Sequence, residues 1–323
     1  MSDREEKTGK NDNGKKNKGG KRNKIVAIEM IILVLLIMAA VAIFIQRDKS
    51  VKEAAKIHNQ KAKKTEQTSQ AVQKENEIEE ETEGTEEETG DRDASVPDRS
   101  NFAVQPGVSV GTTEQSDEKI VYLTLDDGPS DNTQAVLDIL DKYNAKATFF
   151  VTGEMPEYKD MIKAAYDKGH TIGMHTYSHD YAKVYASVDA YFQDLDQIGQ
   201  MVQEEIGYVP CFIRFPGGSS NTVSKKYTAG IMSTLVQEVQ NRGYQYYDWN
   251  GSSGDGSVRT TEELVAQATS FDSNNIILLC HDSHGKQTTV EALPQIIEHY
   301  QSLGYTFKAL DRDSFVAHHG VNN

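Results

Sequence analysis

The chain has 323 residues and a formal net charge of −15, enough length for one large domain or two small ones. Its acidic balance speaks against a nucleic-acid partner, and its basic cluster sits at the amino end beside an apolar run that gives it another use. Cys211 and Cys280 lack a metal-binding spacing, and each reads as a buried thiol or, outside the cell, as half of a disulfide.

Residues 1–24 form a basic tail in which Lys15, Lys16, Lys18, Lys21, Arg22 and Lys24 crowd together. From Ile25 to Ile45 the run is apolar except for Glu29. At ~1.5 Å rise per residue, such a helix spans the ~30 Å hydrocarbon layer of a bilayer. A cleaved signal peptide is the alternative, with Ala39-Ala40-Val41-Ala42 offering small residues for cleavage. The apolar core is longer than the ~7–15 residues of a signal peptide. The expectation is therefore one uncleaved transmembrane helix over 25–45, its Lys-rich flank in the cytoplasm and the rest of the chain outside. Residues 46–118 carry many charges, an acidic run over 75–93 and no Phe, Tyr or Trp but Phe102. They predict an extracytoplasmic spacer, disordered or transiently helical.

From Lys119 the texture changes. Ile120–Leu125 reads as a strand, followed by a helix with Val136, Ile139, Leu140 and Tyr143 on one face. Ala147–Val151 is a second strand, Tyr158–Lys168 a helix closed by Gly169, and His170–Met174 a third strand. A long helix carrying Leu195, Ile198, Val202 and Ile206 leads to a fourth strand at Phe212–Phe215. Then come a helix over Tyr227–Arg242, an extended Tyr244–Trp249, a helix over Glu262–Phe271 and a strand at Asn275–Cys280. A helix around Ala292–Leu303 and a last strand at Tyr305–Ala309 complete seven β/α units. That is the pattern of a parallel sheet closed into a barrel.

In such barrels the chemistry sits at the carboxyl ends of the strands. Here those ends carry Asp126-Asp127, then His175-Thr176-Tyr177-Ser178-His179, then Arg214-Phe215-Pro216-Gly217-Gly218-Ser219. Asp248-Trp249 and Leu279-Cys280-His281 follow at the next two. Adjacent carboxylates repel and call for a cation, an Arg or a proton between them. The i, i+4 spacing of His175 and His179 would aim both imidazoles at one point if the segment made a helical turn. Two His and one carboxylate suit a zinc that keeps an open position. Arg214 at the same rim can hold a carboxylate ionised, and Gly217-Gly218 lets a backbone N–H approach a substrate closely.

These pieces, in this order over residues 119–311, resemble the five motifs of the polysaccharide deacetylases, carbohydrate esterase family 4, also called the NodB homology domain. The resemblance implies a distorted (β/α)7 barrel over 119–311, with 312–323 left as a carboxyl-terminal tail. Asp127, His175 and His179 match the family's metal triad, usually Zn2+, and Asp126 matches the general base that activates the attacking water. His281 matches the acid that protonates the leaving amine. Arg214 looks like the partner that orients the base, Asp248 like the partner of His281, and Leu279 and Trp249 like the walls of the acetyl pocket. Thr176 matches a residue that steadies the metal-binding loop. Where many members have Tyr after the Pro of the third motif, this chain has Gly217, whose N–H can still bind an oxyanion. The resemblance thus implies a metal-dependent N-deacetylase of a cell-surface glycan. The anchor and spacer favour peptidoglycan, with chitin-like oligomers, an exopolysaccharide or O-acetyl xylan as alternative substrates. A non-catalytic glycan-binding protein is the rival from another class.

Overall fold

The computed structural model describes residue 99 and residues 101–322, so the expected tail, transmembrane helix and most of the spacer lie outside them. No helix among the described residues is long and apolar enough to cross a membrane. The elements in chain order are β1 (Ile120–Asp126), α1 (Thr133–Lys142), β2 (Ala147–Val151), α2 (Asp160–Asp167) and β3 (Thr171–Met174). Next come α3 (Tyr181–Val184), α4 (Val188–Ile206), β4 (Phe212–Ile213), α5 (Ile231–Asn241), β5 (Gln245–Tyr246) and β6 (Gly251–Ser252). The last are α6 (Thr261–Ala268), β7 (Asn275–His281), α7 (Gln287–Ser302) and β8 (Thr306–Phe307).

Local chemistry explains most of these bounds. Ser187 caps α4 by accepting from Ala190 N at 3.0 Å, and Gly207 ends it in the left-handed region. Thr260 and Glu263 form a reciprocal capping box at the start of α6. α7 starts ahead of the expected Ala292 and runs through Pro294. A proline normally stops a helix, but Leu293, Ile296 and Ile297, all fully buried, hold this one against the core.

All strand pairings are parallel, in the order β5-β4-β3-β2-β1-β7-β6, with β8 also on β1. The expected single strand at Tyr244–Trp249 is broken in two, and no ladder joins β5 to β6. Instead the chain steps across: Tyr247 N donates to Ile213 O at 2.9 Å on the β4 side, and Asn250 N to Ile277 O at 3.3 Å on the β7 side. The expected closed ladder is therefore a curled parallel sheet whose ends are linked by residues 247–250. Between them lies buried Asp248, whose carboxylate takes partners that a regular ladder does not offer.

Side chains along β1 alternate between two cores, as a pleated strand requires. Val121, Leu123 and Leu125 pack with the helices, while Ile120 and Tyr122 join an inner cluster with Phe150, Phe212 and Tyr247. Thr124 and Asp126 share that inner face.

The folded unit also extends beyond both expected boundaries. Phe102 is buried edge-on against Phe212, and Cys211 N donates to Phe102 O at 2.9 Å. At the other end Phe315, Val316 and Ala317 enter the inner cluster, and Val316 N donates to Thr112 O at 2.8 Å. Among the described residues the packed chain therefore begins near Asn101 rather than Lys119, and 312–319 is not a free tail. Cys211 and Cys280 are both buried free thiols.

Candidate active site

β1 ends by placing Asp126 in register with Phe150 of β2 and His281 of β7. The next residue, Asp127, has φ 67°, and the cis Gly128–Pro129 bond turns the chain away. From β3, the His175–His179 segment runs not as the expected helical turn but as a loop with Thr176 at φ 71° and His179 at φ 46°. Asp194 on α4 holds that loop, accepting from Tyr177 N at 2.6 Å, Ser178 N at 3.0 Å and Ser178 Oγ at 2.6 Å. The Thr176 hydroxyl, expected to steady it, is buried without a hydrogen-bond partner among the described residues. Asp194 has taken that role, and its helical position gave no sequence signal.

The loop still brings both imidazoles to one point. His175 Nε2 and His179 Nε2 lie 3.4 and 3.3 Å from Asp127 Oδ1. Burial pushes the His175 imidazole below its ordinary value against the pull of Asp126 and Asp127. Its Nδ1 lies 2.8 Å from Arg214 O, an acceptor only, so Nδ1 carries the proton and Nε2 presents a bare lone pair. Burial would raise Asp127, but His175, His179 and His281 outweigh it and hold the carboxylate below its usual range. Asp127 Oδ1 has no hydrogen-bond partner among the described residues. Two acceptors facing each other in a buried site leave a cation as the missing partner. The donor set, one carboxylate and two imidazoles, fits a divalent metal with an open position.

Asp126 is 2% exposed and Arg214 fully buried, with Arg214 NH1 2.7 Å from Asp126 Oδ1. Arg214 also donates to Thr124 Oγ1 (2.7 Å), Tyr247 O (2.8 Å) and Asp248 O (3.1 Å), and its guanidinium lies 4.4 Å from the Phe150 ring centroid. A donor so fully committed fixes the direction of the Asp126 side chain.

On the opposite flank the structure corrects one assignment. The partner of His281 is Asp255, not Asp248: His281 Nδ1 lies 2.8 Å from Asp255 Oδ1, and His281 N donates to Asp255 Oδ2 at 2.8 Å. Asp248 instead accepts from Ser219 N, Ser219 Oγ and His319 N at 2.8, 2.5 and 2.8 Å. Asp255 sits in the Ser-Gly-Asp-Gly turn after β6, and that turn is the signal the sequence offers for it. Burial alone would lower His281, but Asp255, aided by Asp126 and Asp127, pushes it up to about 9. The imidazole is thus charged at neutral pH with Nε2 3.9 Å from Asp127 Oδ2, able to donate a proton into the site. Activity that needs this proton is retained below the His281 pKa and lost as pH rises through it. Asp255→Asn is expected to move the alkaline limb of kcat/KM down by at least about one pH unit. An unmoved limb would remove Asp255 as the controlling partner.

Gly217 has φ 75°, and a Cβ there would stand 2.6 Å from the Tyr181 hydroxyl. Tyr181 thus fills the space beside Gly217. Its ring lies edge-on to His179, and burial, with Asp127 and Asp126 adding, pushes the phenol up to about 12. Gly217→Ala is expected to cost about 1–2 kcal/mol of stability through the left-handed backbone alone. An unchanged denaturation midpoint would contradict that. Trp249 packs on Gly218, where a Cβ would come within 2.9 Å of the indole. Leu279, 8% exposed, lies two residues before His281 on the same face of β7. The structure thus brings Asp126, Asp127, His175, His179, Arg214 and His281 together at one rim. Gly217 and Trp249 flank one loop there, and Asp248 braces that loop.

The family model for polysaccharide deacetylase matches residues 113–236. YheN of Bacillus subtilis, whose name marks it as a polysaccharide deacetylase by inference, is 30% identical over 217 residues, 64% of this chain and 72% of its own. A peptidoglycan-N-acetylglucosamine deacetylase of Bacillus cereus is 29% identical over 226 residues, 65% of this chain and 78% of its own. Among solved structures, the catalytic domain of peptidoglycan N-acetylglucosamine deacetylase from Eubacterium rectale is 47% identical with a TM-score of 0.63. That match covers 65% of this chain and 97% of the other. With these relatives and this rim of residues, the chain belongs to the polysaccharide deacetylases, metal-dependent hydrolases that act on the carbon–nitrogen bond of N-acetyl groups.

Proposed function

We propose that this protein is a membrane-anchored, metal-dependent deacetylase that removes acetyl groups from N-acetylglucosamine units of peptidoglycan outside the cytoplasmic membrane. The observation that carries the chemistry is the convergence of His175 and His179 on an oxygen of Asp127 that has no hydrogen-bond partner among the described residues, with Asp126 and His281 within 4 Å of this group. The substrate rests on the names of the relatives from Bacillus cereus and Eubacterium rectale. The anchor rests on the apolar run at 25–45 and its basic flank.

Asp127, His175 and His179 would hold a divalent metal, zinc by the chemistry of the donors, which would supply Lewis acidity toward the attacking water and the acetyl carbonyl. Asp126, oriented by Arg214, takes a proton from that water. The Gly217 N–H supports the negative charge that develops on the carbonyl oxygen. His281 gives its proton to the amide nitrogen, so the carbon–nitrogen bond breaks to release acetate and a free amine. Asp255 keeps that imidazole charged and oriented. Leu279 and Trp249 wall the pocket for the methyl group.

The test follows acetate release by the full-length protein in detergent from purified N-acetylated peptidoglycan, from N-acetylglucosamine oligomers and from acetylated xylan. Fastest release from peptidoglycan is expected. Release confined to xylan or free oligomers would overturn the wall assignment while keeping the chemistry.

A further inference from the structure

The carboxyl-terminal segment does more than close the fold. After Ala317, whose carbonyl accepts from Asp248 N at 3.0 Å, the chain reaches the rim of the candidate site with His319. Three elements meet at this residue. Its backbone N donates to Asp248 Oδ2 at 2.8 Å, and its Nε2 lies 2.6 Å from Trp249 O. A carbonyl oxygen only accepts, so Nε2 donates to it, while Nδ1 lies 3.1 Å from Ser220 Oγ. The imidazole stands edge-on to the indole of Trp249, with centroids 4.7 Å apart and planes at 80°. The indole also meets the Gly218 backbone, where a Cβ would come within 2.9 Å of the ring, and the Arg214 guanidinium lies 5.7 Å from its centroid. Asn322 Nδ2 adds a bond to Ser220 O at 2.8 Å.

Both ring nitrogens of His319 are therefore engaged within the protein, which leaves none for substrate. What the ring can do is hold Trp249 at a fixed height against the loop that carries Gly217 and Gly218. We infer that His319 is a positioning residue that clamps Trp249 against the Gly217–Ser220 loop and so sets the depth of the acyl pocket, making the carboxyl-terminal strap a determinant of which N-acyl groups the enzyme accepts. This rests on the proposed role of Trp249 as a wall of that pocket. A fixed indole admits acetyl and rejects a longer acyl chain; a released indole loses that discrimination. One methylene in an apolar pocket is worth about tenfold or more in rate ratio.

Trp249 is the one tryptophan in the chain, so its fluorescence reports the clamp without reference to activity. The experiment compares full-length wild type, His319→Ala and His319→Gln in detergent. Acrylamide quenching and emission maximum are read alongside kcat/KM on N-acetyl and N-propionyl glucosamine oligomers. His319→Ala is expected to redden the emission, increase quenching and reduce the acetyl-over-propionyl preference by about tenfold. His319→Gln, which retains a donor for Trp249 O, should recover most of both. Unchanged emission and an unchanged preference in His319→Ala, or a uniform loss of rate with the preference intact, would overturn the clamp. So would a glutamine variant as unselective as the alanine one. If the emission shifts as expected but wild type releases no acyl group from any glycan, the clamp stands and the deacetylase reading fails.

Discussion

Asp126→Asn should lower kcat by about 10²–10⁴-fold while the protein stays folded and keeps its metal. The reason is the division of labour at the end of β1. Asp127 faces the two imidazoles, whereas Asp126 is held by Arg214 at 2.7 Å and stands 3.7 Å from His175 Nε2. Asparagine keeps an oxygen for the guanidinium but has no carboxylate with which to take a proton. Metal content by elemental analysis and kcat on the same preparation separate the two functions. A variant that keeps near wild-type turnover would remove Asp126 as the base. A variant that loses its metal would mean that both carboxylates serve the ion.

Arg214→Met should carry the largest stability effect in the site, about 3–5 kcal/mol. Methionine roughly fills the space but leaves the Asp126 carboxylate buried without its cation and strands Thr124 Oγ1 and the carbonyls of Tyr247 and Asp248. The penalty comes from the orphaned charge rather than from the worth of the pair. The double variant Asp126→Asn/Arg214→Met should therefore be less destabilised than the sum of the singles. Equilibrium unfolding of all three variants reads this directly. Additive losses would show that the two side chains do not depend on each other.

Much of the architecture was legible because its signals are local. β2 runs over Ala147–Val151 as expected, and the bounds of α1, α2, α4 and α6 follow apolar stripes and caps that the sequence carries. The site's identity was legible for a related reason: strands deliver their last residues to one rim, so Asp126, Asp127, His175, Arg214 and His281 are placed by topology alone. The failures all involve contacts between residues far apart in sequence. The pairing of His281 with Asp255 depends on how the turn after β6 is oriented, which no local propensity sets. The pairing of Asp194 with the His175–His179 loop joins a helix to a loop whose left-handed residues no propensity announces. Phe102 and the Phe315–Ala317 segment read as flanking chain, because short apolar stretches among polar residues become core only through the distant inner cluster they join. The break at residues 247–250 belongs to the same class, since Asp248 draws its partners from Ser219 and His319.

The central claim is that Asp127, His175 and His179 hold the ion on which deacetylation depends. The most direct measurement follows bound metal and acetate release together, on full-length protein as purified, after chelation, after zinc is restored, and in His175→Ala. The expected result is a divalent ion in the wild type, acetate release that is lost with the ion and returns with zinc, and neither property in His175→Ala. Acetate release that survives complete removal of the metal, or a His175→Ala protein with normal metal and normal rate, would contradict it.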